Sequence, residues 1–219
     1  MERQAVFQSL KNAGIVPVIR SSSSKKVLQI VEALMKGGIA VAEVTMTVPR
    51  AIETIEQCAN EFGTHLTLGA GTVMDDAVCT RAIDAGSQFV VTPTVRIEVV
   101  KKCKEKNICV IGGALTPSEI LAVWETGADA VKVFPVKAMG GAAYLRMLSE
   151  PMPSIPLVPT GGVTLETLEE YFRAGAVFVG AGGDLVNKKE AEAGNFAWIA
   201  ERSRQYVTAI RKARPSPHS

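Results

Sequence analysis

Short runs of β-branched residues alternate with longer amphipathic segments along the whole chain. Each run is bounded by polar residues or glycine, which predicts eight strands, at 15–20, 41–46, 65–71, 88–93, 108–113, 130–135, 155–162 and 176–183. Segments between them, such as 24–38 and 48–63, carry apolar residues at spacings of three and four and end at glycine, as helices do. The opening MERQAVFQSLKNAG predicts one more helix before the first strand.

The order of these elements predicts the fold class. Strand and helix alternate eight times, which favours parallel strands covered by helices. The closed form of that pattern is a (β/α)8 TIM barrel, and an open doubly wound sheet is the alternative. A length of 219 residues suits one barrel. We therefore predict an α/β fold, a single-domain (β/α)8 TIM barrel with an N-terminal helix over residues 1–213, and a disordered tail at 214–219.

The two-residue period of a strand places charged side chains inside this predicted barrel. In VKVFP, Val131 and Val133 face the helices, so Lys132 points into the barrel. In VAEVTMT, the same period puts Glu43 and Thr47 on the inner side. One amine and one carboxyl therefore share an enclosed space, near the carboxyl ends of strands where barrel enzymes hold their active sites.

Two interpretations of the buried lysine remain open at this level. Glu43 and Lys132 can form a structural ion pair, although such pairs gain little net stability once desolvation is counted. Alternatively, a desolvated amine attacks a ketone to form an imine, and the protonated imine stabilises the carbanion that forms when a C–C bond breaks. Glu43 then has the residue type of a general acid/base. Spacing alone does not separate the two.

The ends of the last two predicted strands are rich in glycine. PTGGVTLE and GAGGDLV each place two glycines just before a helix, where backbone N–H groups and the helix dipole bind anions. Barrels often bind phosphate after strands 7 and 8. Thr160 either adds a hydroxyl to this site or caps the next helix, and Thr72 in GAGT lies at the same rim or only forms a turn. These loops predict a phosphorylated or carboxylated ligand.

Charge and hydropathy make several partners unlikely on physical grounds. The 24 basic and 22 acidic residues are mixed along the chain, without the basic stripe that follows a nucleic acid backbone. No window has the length and apolarity of a membrane span, and the first residues lack the apolar core of a secretory signal. We expect a cytoplasmic protein with no nucleic acid and no membrane partner.

Metal ligands and disulfides are not suggested by the sequence. The two histidines stand at 65 and 218, and the cysteines share no CxxC spacing. We expect no metal, no cofactor and four reduced, partly buried thiols, at Cys58, Cys79, Cys103 and Cys109.

Five motifs in a fixed order resemble one enzyme family. EVTMTVP, GAGTV, VTP, VKVFP and VPTGGV, between about residues 10 and 186, resemble the bacterial 2-keto-3-deoxy-6-phosphogluconate (KDPG) aldolases, a class I family that includes 4-hydroxy-2-oxoglutarate (KHG) aldolase activity. The resemblance implies a barrel enzyme, commonly a homotrimer, that cleaves a keto-deoxy sugar acid to pyruvate and glyceraldehyde 3-phosphate. It implies an imine at Lys132 and acid/base chemistry at Glu43.

The same resemblance assigns the remaining site positions. It implies that the substrate contacts Arg20, Thr47, Thr72, Pro93 and Thr160, of which Thr72, Pro93 and Thr160 line the pyruvyl side. The phosphate end would consist of Gly161, Gly162, Gly182 and Gly183.

Two positions depart from the family pattern and put the substrate's tail in question. Many members carry arginine where this chain has Thr47, and serine where it has Gly183 followed by Asp184. Losing a charge-assisted contact weakens phosphate binding, and Asp184 would repel phosphate unless it turns away to cap a helix. Alternatives are a KHG or 2-keto-3-deoxy-6-phosphogalactonate aldolase, a phosphate-binding isomerase or synthase barrel, and a non-catalytic sugar acid binding barrel.

Overall fold

The fold is an eight-stranded parallel barrel, seen in a computed structural model that describes residues 2–214. The strands are β1 Ile15–Ile19, β2 Val41–Thr45, β3 Thr67–Gly71, β4 Phe89–Val91, β5 Cys109–Ala114, β6 Ala130–Val133, β7 Leu157–Pro159 and β8 Val179–Ala181. The helices are α1 Arg3–Ala13, α2 Ser24–Lys36, α3 Ala51–Phe62, α4 Asp76–Asp84, α5 Ile97–Glu105, α6 Pro117–Glu125, α7 Ala142–Ser149, α8 Leu168–Arg173, α9 Lys188–Ala193 and α10 Phe196–Ala213.

From β1 to β7 each strand pairs in parallel with the next strand in the chain, and β1 pairs with β8. Two isolated bridges, Leu157 to Ala176 and Thr160 to Gly180, join β7 to the β8 region and close the ring. The predicted (β/α)8 TIM barrel is therefore confirmed, and the alternative prediction of an open doubly wound sheet is wrong.

Several predicted strands are shorter in the structure, for local physical reasons. The run predicted at 65–71 begins two residues later because His65 ends a 3-10 turn over Gly63–His65. The run predicted at 155–162 ends at Pro159, and Gly161 and Gly162 follow with φ of +89°. That dihedral lies in the left-handed region, which a β-strand does not use.

Two apolar cores fill the molecule, one on each side of the strands. Val44, Val131 and Val133 belong to the larger core between strands and helices, as the two-residue period predicts. The smaller core fills the barrel interior with side chains such as Phe89 and Ile111, and it also includes Val6, Leu10 and Phe178. Since Val6 and Leu10 lie on α1, the N-terminal helix closes the amino end of the barrel. Ligands can reach the interior from the other end.

The last helix packs against α2 and α8 and carries the chain to the end of the described region. Arg214, the first residue of the predicted tail, donates from Nη1 to the Lys11 carbonyl at 2.6 Å. Residues 215–219 of that predicted tail lie outside the described residues. Among helices of the described chain, none is both long and apolar enough to span a bilayer.

All four cysteines are buried free thiols. Cys79 Sγ and Cys103 Sγ lie 3.5 Å apart between α4 and α5. Within residues 2–214, no three metal-ligating side chains converge on one point.

Candidate active site

Lys132 lies inside the barrel near the carboxyl end of β6. Its cross-strand partners are Gly113 on β5 and Val158 on β7, and only 4% of the residue is exposed. Ala130, two residues earlier, belongs to the interior core, which confirms that this face of β6 points inwards. A lysine this deeply buried must be paired, neutralised or used in chemistry.

Glu43 projects into the same interior from β2 and is 2% exposed. A Cβ on Gly71 would overlap the Glu43 carboxyl, so glycine at that position of β3 makes room for it. Oε1 of Glu43 is buried without a hydrogen-bond partner among the described residues. Burial raises the pKa of the Glu43 carboxyl above its usual range, and the cations Lys132 and Arg20 offset only part of that rise.

Lys132 and Glu43 do not contact each other directly. Their nitrogen and oxygen atoms lie more than 4.0 Å apart, so no salt bridge joins them. A buried carboxyl oxygen without a partner costs free energy. The arrangement therefore leaves both polar groups available to a molecule that enters between them.

A cavity of about 420 Å³ opens at the carboxyl ends of β1, β6, β7 and β8. That volume falls within the range of small-molecule sites. Its lining includes Val18, Arg20, Phe134, Thr160, Gly161, Gly162, Thr164, Gly182, Gly183, Asp184 and Lys188. The Phe134 ring centroid lies 5.4 Å from Lys132 Nζ, so the cavity wall adjoins the buried amine. A groove of similar volume between α2 and α10 contains none of the predicted site residues.

The loops after β6 and β7 are joined by backbone hydrogen bonds. Val136 N donates to Thr160 O at 2.9 Å, and Lys137 N donates to Gly161 O at 3.1 Å. The Thr160 side chain is buried and covers Gly180, where any Cβ would overlap the hydroxyl. Thr160 is therefore fixed on the cavity wall.

The four predicted glycines all line the cavity, but the backbone requires glycine at only two of these positions. Gly161 and Gly162 have φ of +89°, a conformation that only glycine adopts at low cost. A Cβ on Gly182 or Gly183 would meet nothing within 4 Å, so their local backbone does not demand glycine. The N–H groups of Gly162 and Gly183 donate no backbone hydrogen bond within residues 2–214 and remain available to an anion.

Thr72 and Pro93 stand on neighbouring loops at the rim. Thr72 has φ of +58°, which is rare for a β-branched residue and stores strain in the turn after β3. The backbone at Pro93 passes over Gly113, where a Cβ would lie 2.5 Å from the Pro93 carbonyl carbon. Because Gly113 is the cross-strand partner of Lys132, this close approach brings the Pro93 loop beside the lysine strand.

Thr47 lies in the turn after β2 and is mostly exposed. Thr45 Oγ1 donates to the Ile19 carbonyl at 2.9 Å, and the two threonine hydroxyls lie 2.6 Å apart. Since a hydroxyl has one proton, Thr47 must be the donor in that second hydrogen bond. Thr47 therefore presents only lone pairs to solvent or ligand, and it is not part of the cavity lining.

Arg20 and Asp184 have opposite orientations at the cavity. Arg20 follows β1, is exposed and lines the opening. The Asp184 carboxylate turns away to Arg202 on α10, with Nη2–O distances of 2.8 and 2.9 Å, and accepts from Tyr206 at 2.6 Å. Pairing with Arg202 therefore reduces the repulsion of phosphate that the sequence predicts for Asp184. The carboxylate turns away to bind side chains of α10, and it does not cap a helix as the sequence suggested. Burial raises the pKa of the Tyr206 hydroxyl, so it remains a donor.

Sequence reasoning missed several residues that the structure brings to the cavity. Phe134 stands two positions after Lys132 in the run predicted as a strand at 130–135, so the period of that run is the signal that could have found it, although β6 itself ends at Val133. Thr164 and Lys188 lie in loop and helix positions that no strand pattern selects. Arg202 and Tyr206 act through Asp184 from 18 and 22 residues away, where no local pattern gives a signal.

The comparisons with known proteins agree with this geometry. A family model described as KDPG and KHG aldolase matches residues 6–202. The 2-dehydro-3-deoxy-phosphogluconate aldolase of Treponema pallidum is 33% identical over 205 residues, 94% of this chain and 97% of that protein. The enzyme of the same name from Pseudomonas aeruginosa is 32% identical over 195 residues, 89% of this chain and 88% of that protein.

Solved structures extend the comparison to the fold. The KDPG aldolase of Legionella pneumophila is 31% identical, with a TM-score of 0.84 over 91% of this chain and 95% of that one; it holds pyruvate captured at low pH as a covalent carbinolamine intermediate. A 3-hexulose-6-phosphate synthase, 15% identical with a TM-score of 0.71, shares the fold alone. With the family model covering most of its length, the chain belongs to the KDPG and KHG aldolase family.

Proposed function

We propose that this protein is a class I aldolase that cleaves KDPG to pyruvate and glyceraldehyde 3-phosphate through a Schiff base at Lys132. The observation that carries the proposal is a buried lysine and a buried, unpaired carboxyl facing one barrel interior, beside a cavity with glycine loops at its far end. The names of the T. pallidum and P. aeruginosa relatives support the choice of substrate.

The reaction uses the lysine as nucleophile and as part of the electron sink. The lone pair of Lys132 Nζ adds to C2 of the substrate, and a proton passes from this nitrogen to the former ketone oxygen to give a carbinolamine. Glu43 as an acid protonates the carbinolamine hydroxyl, which leaves as water and gives a protonated imine. The C3–C4 bond then breaks, its electron pair moves into the imine, and the enamine of pyruvate remains on the enzyme as the aldehyde leaves. Protonation at C3 and addition of water release pyruvate and restore the amine.

Glu43 moves the protons in this scheme. As a carboxylate it accepts the proton of the C4 hydroxyl during bond cleavage, and as an acid it returns a proton to C3 of the enamine. A single carboxyl serves both steps best when its pKa is close to the working pH. Burial moves the pKa of Glu43 in that direction.

The remaining residues would hold the two ends of the substrate. Thr72, Pro93 and Thr160 surround the pyruvyl end, and Arg20, which lines the cavity, supplies a positive charge beside the substrate. The phosphate would lie at the other end, against the N–H groups of Gly161, Gly162, Gly182 and Gly183. The positive φ of the first pair and the open space at the second pair support this placement.

Trapping with borohydride tests the covalent step. Incubation with pyruvate and borohydride should add one reduced pyruvyl group to the intact protein by mass spectrometry, and peptide mapping should place it on Lys132. Lys132→Ala should show no addition, whereas Lys137→Ala, which removes a lysine from the adjoining loop, should react like the wild type. Equal addition to wild type and Lys132→Ala would disprove the Schiff base at this residue.

Two other substrates compete with KDPG, and they differ from it in the tail or in the configuration at one carbon. Thr47 offers no cation, and its hydroxyl proton is donated to Thr45, which favours a tail with less charge than phosphate. Relatives named KHG/KDPG aldolase and 2-dehydro-3-deoxy-6-phosphogalactonate aldolase, both from Escherichia coli, are 30% and 28% identical to this chain. Pyruvate release measured across KDPG, its galactonate epimer and 4-hydroxy-2-oxoglutarate ranks these substrates directly. A protein that binds them without turnover would be the non-catalytic barrel.

We further propose that the chain forms a homotrimer in the cytoplasm. Exposed apolar side chains at Met74, Leu121, Met139 and Met147 offer surface for self-association, and free buried thiols suit a reducing compartment. One structural neighbour, 28% identical with a TM-score of 0.82 over 91% of this chain and 72% of that one, is a protein cage designed by fusing symmetric oligomeric domains. Light scattering after gel filtration gives the subunit number.

A further inference from the structure

The strand 8 loop carries a carboxylate whose hydrogen bonds all point away from the cavity. Asp184 directly follows Gly182 and Gly183, and both of its oxygens accept from Arg202 Nη2, at 2.9 and 2.8 Å. Tyr206, which is fully buried, donates to Oδ2 at 2.6 Å. Because α10 supplies both donors, the loop is attached to a long helix that packs on the barrel.

Asp184 also reaches the neighbouring loop. Leu165 N, just beyond the strand 7 glycines, donates to Asp184 Oδ2 at 3.2 Å. Arg202 Nε makes a longer contact, 3.4 Å, with the Asp184 carbonyl oxygen. One side chain therefore links three segments: the loop after β7, the loop after β8 and helix α10.

This pairing also decides the charge at the outer end of the cavity. Arg202 balances the negative charge of Asp184, while Glu166 Oε1 lies farther from the guanidinium at 3.7 Å. Arg20 and Lys188 line the cavity and are not bound to Asp184. An entering anion thus meets Arg20, Lys188, which Glu192 partly balances at 3.7 Å, and a carboxylate already paired with Arg202.

We propose that Asp184 is a positioning residue that holds the two glycine loops at the spacing required to bind the distal phosphate of the substrate. This inference rests on the proposed function and goes beyond it, because the Asp184 carboxylate accepts its hydrogen bonds from Leu165, Arg202 and Tyr206. It acts through the loops that contain Gly161–Gly162 and Gly182–Gly183.

The sign of one substitution separates this role from simple electrostatics. A carboxylate that acted only as a local charge would repel phosphate, so Asp184→Asn would tighten phosphate binding. A positioning carboxylate predicts the opposite, since asparagine keeps the shape but loses charge-assisted hydrogen bonds. We expect Asp184→Asn to weaken the binding of inorganic phosphate roughly tenfold and to raise KM for KDPG by a similar factor. Pyruvate trapping at Lys132 should be unchanged.

Asp129→Asn provides a matched control at the opposite end of the barrel. Asp129 accepts from Arg3 Nε with both oxygens, at 2.9 and 3.0 Å, and from Val110 N at 2.8 Å, so its removal costs a comparable set of hydrogen bonds. The Asp129→Asn variant should bind inorganic phosphate with the affinity of the wild type. Tyr206→Phe removes one hydrogen bond to Asp184 and should weaken phosphate binding less than Asp184→Asn does.

Titration calorimetry with inorganic phosphate gives the affinities, and steady-state assays give KM and kcat separately. Weaker phosphate binding in Asp184→Asn and Tyr206→Phe, with Asp129→Asn unchanged, supports the proposal. Equal or tighter binding in Asp184→Asn, an equal loss in Asp129→Asn, or a wild type that binds no phosphate overturns it. Failure of the wild type to release pyruvate would instead refute the proposed function, because phosphate binding is measured without turnover.

Discussion

The barrel interior contains apolar side chains that pack together and two polar side chains, Lys132 and Glu43, that are available for chemistry. The two-residue strand period was sufficient to place Lys132 and Glu43 on the inner face, and the structure confirms both placements. It was not sufficient for Thr47, because β2 ends at Thr45 and the chain turns there. A period predicts a direction only as long as the strand continues.

Glu43→Gln tests the proton-transfer role at this scale. Glutamine keeps the volume of a protonated carboxyl but has no proton that it can transfer to carbon. Proton exchange at the pyruvate methyl should therefore fall by about 10² to 10⁴-fold. Exchange is followed by NMR in deuterated buffer, and borohydride trapping at Lys132 should persist. Glu105→Gln on α5, an exposed carboxylate, serves as the control and should leave exchange unchanged. Normal exchange in Glu43→Gln would remove Glu43 from the mechanism.

The same substitution predicts a pH-dependent change in stability. The pKa of Glu43 is raised in the folded state, so the folded protein binds more protons than the unfolded chain between the two pKa values. Stability is therefore lost as pH rises from the unfolded pKa through the folded one. Glu43→Gln removes that loss. Its thermal midpoint should exceed that of the wild type at pH 8 and converge with it near pH 4, and a constant difference across this range would contradict the assignment.

At the scale of elements, the loops after β7 and β8 contain glycine for different reasons. Gly162 is required by its backbone, because φ is +89° and a Cβ would lie 2.5 Å from the Lys137 side chain. At Gly183 neither the backbone conformation nor the available space requires glycine, since a Cβ there would meet no atom within 4 Å. The first loop needs glycine in order to fold, and the second leaves space for a ligand.

Alanine at these two positions should separate folding from binding. We expect Gly162→Ala to lower the free energy of unfolding by about 1 to 3 kcal/mol, because the left-handed conformation and the overlap both disfavour a side chain. Gly183→Ala should change it by less than about 0.5 kcal/mol while raising KM for KDPG. Chemical denaturation and steady-state kinetics give the two quantities. Equal destabilisation in both variants would contradict this division.

Local pattern predicted which elements exist but not how their side chains meet. Strand period and the positions of glycine predict all eight strands and both glycine loops. The hydrogen bonds from Arg202 and Tyr206 to Asp184 depend on how α10 packs across the barrel, and local sequence does not determine that packing. The three-dimensional closeness of Gly71 to Glu43, or of Gly113 to the Pro93 loop, likewise follows from register between strands.

At the scale of the whole molecule, the two ends of the barrel have different tasks. The carboxyl end holds the cavity, and the amino end is closed by α1, whose Val6 and Leu10 enter the interior core. Arg3 of the same helix forms a salt bridge with Asp129 at 2.9 Å. Because α1 closes the amino end, the loops at the carboxyl end are free to serve binding.

Leu10→Ala should weaken the fold without changing the chemistry. Leu10 is fully buried, and its truncation should lower the free energy of unfolding by about 2 to 5 kcal/mol through lost burial and a new cavity. At temperatures where the variant remains folded, kcat and KM for KDPG should match the wild type, since interior side chains such as Phe89 and Ile111 fill the barrel between Leu10 and the carboxyl end. Gln4→Ala, an exposed change on the same helix, should alter neither quantity. A changed KM in folded Leu10→Ala would show that the closed amino end helps to shape the site, and the division of tasks between the two ends would be wrong.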